Sequence, residues 1–163
     1  MAFISISITK NHPLILGKGG FGRQLADWLS AEGWGEAEFL DDSAPGCVGG
    51  LRDYADPKLL KPGRPAFVAL GDNALRVELL QKLAAAGYDT PVFISDMAAV
   101  SPSAVLEPGC VILPQAYVGA DAHLGVGCII NGGAIVDHDA VLGRGVHVAP
   151  GGIVKAGAEV EAL

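Results

Sequence analysis

From Val100 onward an aliphatic side chain returns at every sixth position: Val100, Leu106, Ile112, Val118, Leu124, Ile130, Val136, Leu142, Val148, Val154 and Val160. Val, Ile and Leu account for 43 of the 163 residues, so chance would put about three of them on these positions, and the period is physical. Four residues after each sits a small one: Ala104, Cys110, Ala116, Ala122, Cys128, Ala134, Ala140, Gly152 and Ala158, with Val146 the exception. A three-sided coil explains both constraints, with the large aliphatic filling the middle of a flat face and the small residue fitting beside a tight corner. Turn chemistry agrees, because Pro102, Pro108, Pro114, Pro150, Gly109, Gly127, Gly133, Gly145 and Gly151 fall between the strands. A helix cannot hold a six-residue period with this much Gly and Pro. A β-sandwich would show two-residue alternation inside longer strands. The expected fold of residues 96–163 is therefore a left-handed parallel β-helix.

Upstream the composition changes character near residue 95, and residues 1–95 read as a separate α/β unit. An apolar strand, Pro13 to Leu16, runs into a glycine loop, Gly17 to Gly22, and then into a helix whose Leu25, Trp28 and Leu29 share a face, with Gly33 as its stop. Strand, glycine loop and helix is the order that sets backbone N–H groups and a helix N-terminus against a phosphate. A second strand, Ala37 to Leu40, ends in Asp41 and Asp42, where a doubly wound fold often places a carboxylate for a ribose hydroxyl. A third, Ala66 to Leu70, ends in Gly71, Asp72 and Asn73. The last two either cap the next helix, with its stripe of Leu75, Leu79, Leu80 and Leu83 before Gly87, or face a ligand. Three strand ends on one edge make the usual crevice of a Rossmann-like domain.

The formal charge of −7 and pI near 4.9 exclude the basic surface that a phosphate backbone requires, so no nucleic-acid partner is expected. The N-terminal MAFISISITK is too short and wrongly flanked for a signal peptide or a membrane span, and reads as a short strand or ordered tail of a cytoplasmic protein. Cys47, Cys110 and Cys128 form no CxxC pair and are odd in number, which argues against a disulfide framework and against a zinc site; no metal is expected. Cys110 and Cys128 occupy the small-residue slot of the coil.

His138 is the histidine best placed for chemistry. It lies in IINGGAIVDHDAVLG, two residues past the inward Val136 and between Asp137 and Asp139, so it falls toward a corner of the coil. An imidazole beside a carboxylate is held in one tautomer and made more basic, which suits it to take a proton near neutral pH; a merely solvated surface histidine is the alternative. His147, just before the inward Val148, fits a ligand contact or plain packing.

Taken in order, LILGKGGFG, FLDD, FVALGDNALRVELLQKL, SPSAVLEPGCVI and IINGGAIVDHDAVLGRGVHVAPGG resemble the sialic acid and bacillosamine-type sugar O- and N-acetyltransferases of the hexapeptide superfamily, over nearly the whole chain. The resemblance implies a Rossmann-like domain that holds a sugar or nucleotide-linked sugar, a β-helix that binds acetyl-CoA, and a homotrimer. By motif it assigns Gly19, Gly20, Phe21, Asp41, Asp42 and Gly71 to the sugar. It makes His138 the general base, Asp139 its orienting carboxylate and His147 a contact to acetyl-CoA, with backbone N–H groups stabilising the oxyanion.

Phe21 stands where many relatives carry histidine, and Ser95–Asp96 where a His-Pro pair is common. Relatives usually continue for several more coils than the roughly three and a half counted here by period. The expected alternative is therefore a sugar-binding or scaffold protein of the same architecture with an incomplete acetyl-CoA site. A nicotinamide-dependent oxidoreductase, suggested by the glycine loop alone, lacks the fingerprint spacing and a substrate domain.

Overall fold

The structure, a computed structural model, describes residues 11–162. The strand or tail expected within residues 1–10 lies outside them. The chain first builds a small parallel sheet from β1 (Leu14–Leu16), β2 (Glu38–Leu40) and β3 (Ala66–Val68), in the order β2-β1-β3. Helix α1 (Gly20–Ala31) follows β1, and α2 (Asn73–Ala86) follows β3. β1 and β3 are short apolar runs buried on both faces, as parallel strands between covering elements must be, while β2 at the edge leaves Glu38 exposed. All three therefore end at the same edge of the sheet.

The solenoid begins earlier than the period from Val100 suggests. Its first face stacks β4 (Phe93–Ile94), β7 (Val111–Ile112), β10 (Ile129–Ile130) and β13 (His147–Val148). The second stacks β5 (Ala99–Val100), β8 (Tyr117–Val118), β11 (Ile135–Val136) and β14 (Ile153–Val154). The third stacks β6 (Val105–Leu106), β9 (His123–Leu124), β12 (Val141–Leu142) and β15 (Glu159–Val160). Every pairing is parallel and steps by three hexads, as in Val111↔Ile129↔His147. A left-handed parallel β-helix after an N-terminal α/β region is thus the architecture. Inside it, Ile112, Val118, Leu124, Ile130 and Val136 are fully buried with Cys110, Ala122, Cys128 and Ala134 beside the corners. That is the packing the hexad demands, and it buries both cysteines as small apolar residues.

The α/β region covers the first face of the coil. Phe93 and Val111, outward on that face, are buried against Ile15, Leu25, Leu29 and Phe67. Ile153, outward on the second face, is 66% exposed, and Tyr117 and Ile135 below it are exposed as well. The same class of side chain is therefore dry on one face and wet on another because only the first is roofed.

Helix α2 lies along one corner of the coil, where three glycines, Gly109, Gly127 and Gly145, stack one coil apart with φ near +70°. A Cβ on Gly109 would come 2.6 Å from Leu80, on Gly127 2.7 Å from Leu80, and on Gly145 2.9 Å from Val77 and 3.0 Å from the Asn73 carbonyl. Any larger residue there would push the helix off. Among the described residues no helix is long and apolar enough to cross a membrane.

Candidate active site

The corner between β11 and β12 carries Asp137, His138 and Asp139. Its backbone is pinned from both sides: the Asp139 amide donates to the Ala120 carbonyl (2.9 Å) and the Gly157 amide to the His138 carbonyl (2.9 Å). Gly119, one coil back, makes the stacking possible, since a Cβ there would lie 2.6 Å from the His138 nitrogen. Asp139 has φ +59°, a left-handed turn position that L-residues adopt at a cost and that aspartate tolerates better than most. In that conformation its carboxylate accepts a hydrogen bond from His138 Nδ1 at 2.7 Å, while the His138 amide donates to Asp137 Oδ1 at 2.8 Å. The imidazole is 59% exposed. With Nδ1 engaged as donor, the neutral ring presents its lone pair at Nε2. The Asp139 hydrogen bond, and then the charge of Asp137, raise the His138 pKa above its ordinary 6.5. A basic, exposed nitrogen of fixed tautomer is what a proton acceptor needs.

His147 sits elsewhere, outward on the first face at the edge of the roofed region. Asn131 Nδ2 donates to its Nε2 at 3.1 Å, and Asn131 Oδ1 accepts from the Gly132 amide at 2.8 Å, which sets the amide's orientation. Burial, and then the Arg76 charge, lower the His147 pKa. The shift is opposite in direction to that of His138. Asn131 escaped the sequence reading, because it lies one coil back and two residues along, a diagonal that only the stacked coils create. The two histidines belong to different sides of the same chain: His138 to the corner between the second and third faces, His147 to the first.

At the strand-end edge of the α/β region the expected loops meet. The Gly17 amide donates to the Leu40 carbonyl (2.8 Å), and the Lys18 amide to Asp41 Oδ2 (2.8 Å). Asp41 Oδ1 accepts from the amides of Ser43 (2.9 Å) and Ala44 (2.8 Å). These backbone donors, Lys18 first, hold its carboxyl at about 2. Asp42 Oδ1 accepts from the Leu51 amide at 2.8 Å. Both carboxylates therefore shape the rim of the edge with backbone bonds already in place. Lys18 clamps the same rim, its Nζ donating to the carbonyls of Pro45 (2.7 Å) and Gly46 (3.2 Å) over the Phe39 ring.

Gly19 and Gly20, at the start of α1, have open space where a Cβ would be, and Gly19 makes no side-chain cap. The first N–H groups of a helix have no intrahelical partners, so this turn offers donors to an anion. Phe21 is half-buried against the Ile15–Phe67 cluster. Gly71 is open, Asp72 caps α2 through the Leu75 amide (2.9 Å), and Asn73 Oδ1 accepts from Arg76 (2.8 Å). Asp72 thus acts as a cap, one of the two roles its position offered.

Arg76 is the feature of this edge that the sequence did not reveal. It interrupts the leucine stripe of α2, yet it is fully buried. Its Nη1 donates to the Leu70 carbonyl (2.6 Å), its Nε to the Gly127 carbonyl (2.8 Å) and its Nη2 to Asn73 Oδ1 and the Gly145 carbonyl. A cavity of about 720 Å³ lies at the opposite edge of the sheet, between His12, Glu38, Lys61 and Arg64. Its Arg64 is held by Glu38 and by the carbonyls of His12 and Leu59, and none of the expected site residues lines it.

The chain is similar to known proteins in sequence and fold. Residues 14–83 match the PglD N-terminal domain family. The acetyltransferase domain of PglB from Neisseria gonorrhoeae FA1090, solved in complex with acetyl coenzyme A, is 30% identical, with a TM-score of 0.82 over 94% of this chain and 86% of that one. A mutant of GDP-perosamine N-acetyl transferase from Caulobacter crescentus, in complex with CoA and GDP-perosamine, is 32% identical, with a TM-score of 0.77 over 85% of this chain and 69% of that one. WeeI from Acinetobacter baumannii AYE, at 17% identity and a TM-score of 0.61 over 93% of this chain and 89% of that one, shares the fold.

Proposed function

This chain belongs to the hexapeptide-repeat sugar acetyltransferases, and on that premise we propose that His138 is the general base for acetyl transfer to an amino group of a nucleotide-linked sugar. Acetyl-CoA supplies the electrophile, a thioester carbonyl. His138 Nε2 takes a proton from the attacking amine as the N–C bond forms, and gives it to the departing thiolate as the C–S bond breaks. Asp139 keeps the other ring proton at Nδ1 and stabilises the imidazolium between those two transfers.

One observation carries this reading: the 2.7 Å bond from His138 Nδ1 to Asp139 on an exposed, pinned corner of the coil. The residues present also suit the two substrates. Acidic side chains are absent from the first turn of α1, so Gly19 and Gly20 leave its N–H groups to a sugar-linked phosphate. Phe21, Asp41, Asp42, Gly71, Asp72 and Asn73 frame that edge, and the Rossmann-like part, residues 1–95, holds the sugar. Residues 96–163 hold acetyl-CoA, with His147, its pKa lowered by burial and by Arg76, as a contact. The amino-sugar acceptor is supported by the relative bound to GDP-perosamine. We further propose that the molecule works in the cytoplasm as a homotrimer, the exposed ladder of Tyr117, Ile135 and Ile153 being the kind of apolar face that association covers.

The test is direct. Purified protein incubated with acetyl-CoA and a panel of nucleotide-linked amino sugars should give one sugar that gains the mass of an acetyl group, with free CoA formed in equal amount. A panel of amino sugars left unmodified, with hydroxyl sugars acetylated instead, would overturn the amine assignment.

A further inference from the structure

We infer that Arg76 is a positioning residue, the tie that fixes the acceptor-holding edge of the α/β region to the coil that holds the acetyl donor; this rests on the acetyltransferase reading above. Its four hydrogen bonds divide evenly between the two parts. Leu70 lies in the turn after β3 that carries Gly71 and Asp72, Asn73 opens α2 directly after that turn, and Gly127 and Gly145 lie at stacked corners of the coil. Gly145 is two residues from His147. One guanidinium therefore spans the sugar edge and the first face of the coil, with its charge buried and its hydrogen bonds made to neutral oxygens.

Packing alone does not require this. Leu80 and Val77 already seat α2 on the glycine corner, and an apolar residue at position 76 would fill the same space without desolvating a cation. What the arginine adds is direction. A planar fork with five donors in fixed geometry sets both distance and angle between the groups it joins, which a hydrophobic contact does not. Acyl transfer between two bound substrates depends on that setting, since a misplacement of about 1 Å can cost on the order of 100-fold in rate.

The glycine corner supplies a second, independent handle. Gly133, Gly151 and Gly157, at equivalent turns on the other corners, have open space around them, whereas a Cβ on Gly145 would meet Val77 at 2.9 Å and the Asn73 carbonyl at 3.0 Å. Gly145→Ala is thus a wedge between the same two parts that keeps arginine at position 76 and adds the backbone cost of an L-residue at φ +70°.

Steady-state kinetics on the full chain decide the matter, using the amino sugar that the wild type acetylates. Arg76→Lys, which keeps the charge but loses the fork, should lower kcat/KM for the sugar by about tenfold or more and leave the KM for acetyl-CoA unchanged. Gly145→Ala should do the same. A merely structural role predicts a lower melting temperature with both kinetic constants at wild-type values, and that result in either folded variant overturns the inference. If Arg76→Lys fails to fold, Gly145→Ala decides alone. Wild-type protein that acetylates no sugar would remove the functional reading and this inference with it; an active wild type with unaltered variants would remove only the role of Arg76.

Discussion

Asp139 reaches His138 from the next position in the chain, and that adjacency decides how the base titrates. A carboxylate hydrogen-bonded to Nδ1 stabilises the imidazolium more than the neutral ring, so the raised pKa has its main cause in this one side chain, with the charge of Asp137 second. The neutral form is the base. Transfer should therefore fall as the pH drops through a pKa above 6.5, and kcat/KM against pH should show its acid limb there. In Asp139→Asn the carboxylate charge is gone and the limb should move down toward 6.5. An acid limb at the same pH in that variant would separate Asp139 from the base. This pair was legible in the sequence because neighbours in the chain remain neighbours in a turn. Asn131 and His147 were not, because their contact exists only once two coils are stacked.

Turns are the elements on which this chain departs from regularity. The left-handed position recurs every six residues from 109 to 157, and glycine fills it except at Gln115, Asp121 and Asp139. An L-residue there costs on the order of 1 kcal/mol, and at Asp139 the strained backbone is the one that aims the carboxylate at His138. Asp139→Gly should therefore raise the stability of the fold by up to about 1 kcal/mol while lowering the rate of transfer, measured as a higher melting temperature with reduced kcat. A loss of both would mean that the carboxylate holds the corner together. The strands themselves were written openly in the sequence, since Ile112, Ile130 and Val148 are inward on one face for the same reason that they recur by hexads. The glycine loop, the strand ends and the helix caps were also readable, each from local chemistry. Why Gly109, Gly127 and Gly145 must be glycine was not readable. Their turn conformation is shared with the other corners, and only the path of α2 distinguishes them.

The molecule joins two parts that the sequence describes separately. Hydrophobic period defines the coil and strand-loop-helix order defines the α/β region, but neither says that Phe93 and Val111 will be roofed by Ile15 and Phe67, or that a buried arginine will bridge them. Those facts come from the fit of one surface to another, which a single chain's pattern does not record. They also give the proposed reaction its geometry: sugar edge, Arg76 and His147 follow one another across the junction, and His138 projects from a different corner of the coil. In a trimer the corner of one copy and the first face of another can share a site. The central claim, that His138 removes the acceptor proton, is tested most directly by His138→Ala, assayed for acetyl transfer after sedimentation and circular dichroism show the wild-type assembly and fold. Loss of the general base should lower kcat by about 100-fold or more in a correctly assembled protein. Transfer at the wild-type rate by that same protein would contradict it.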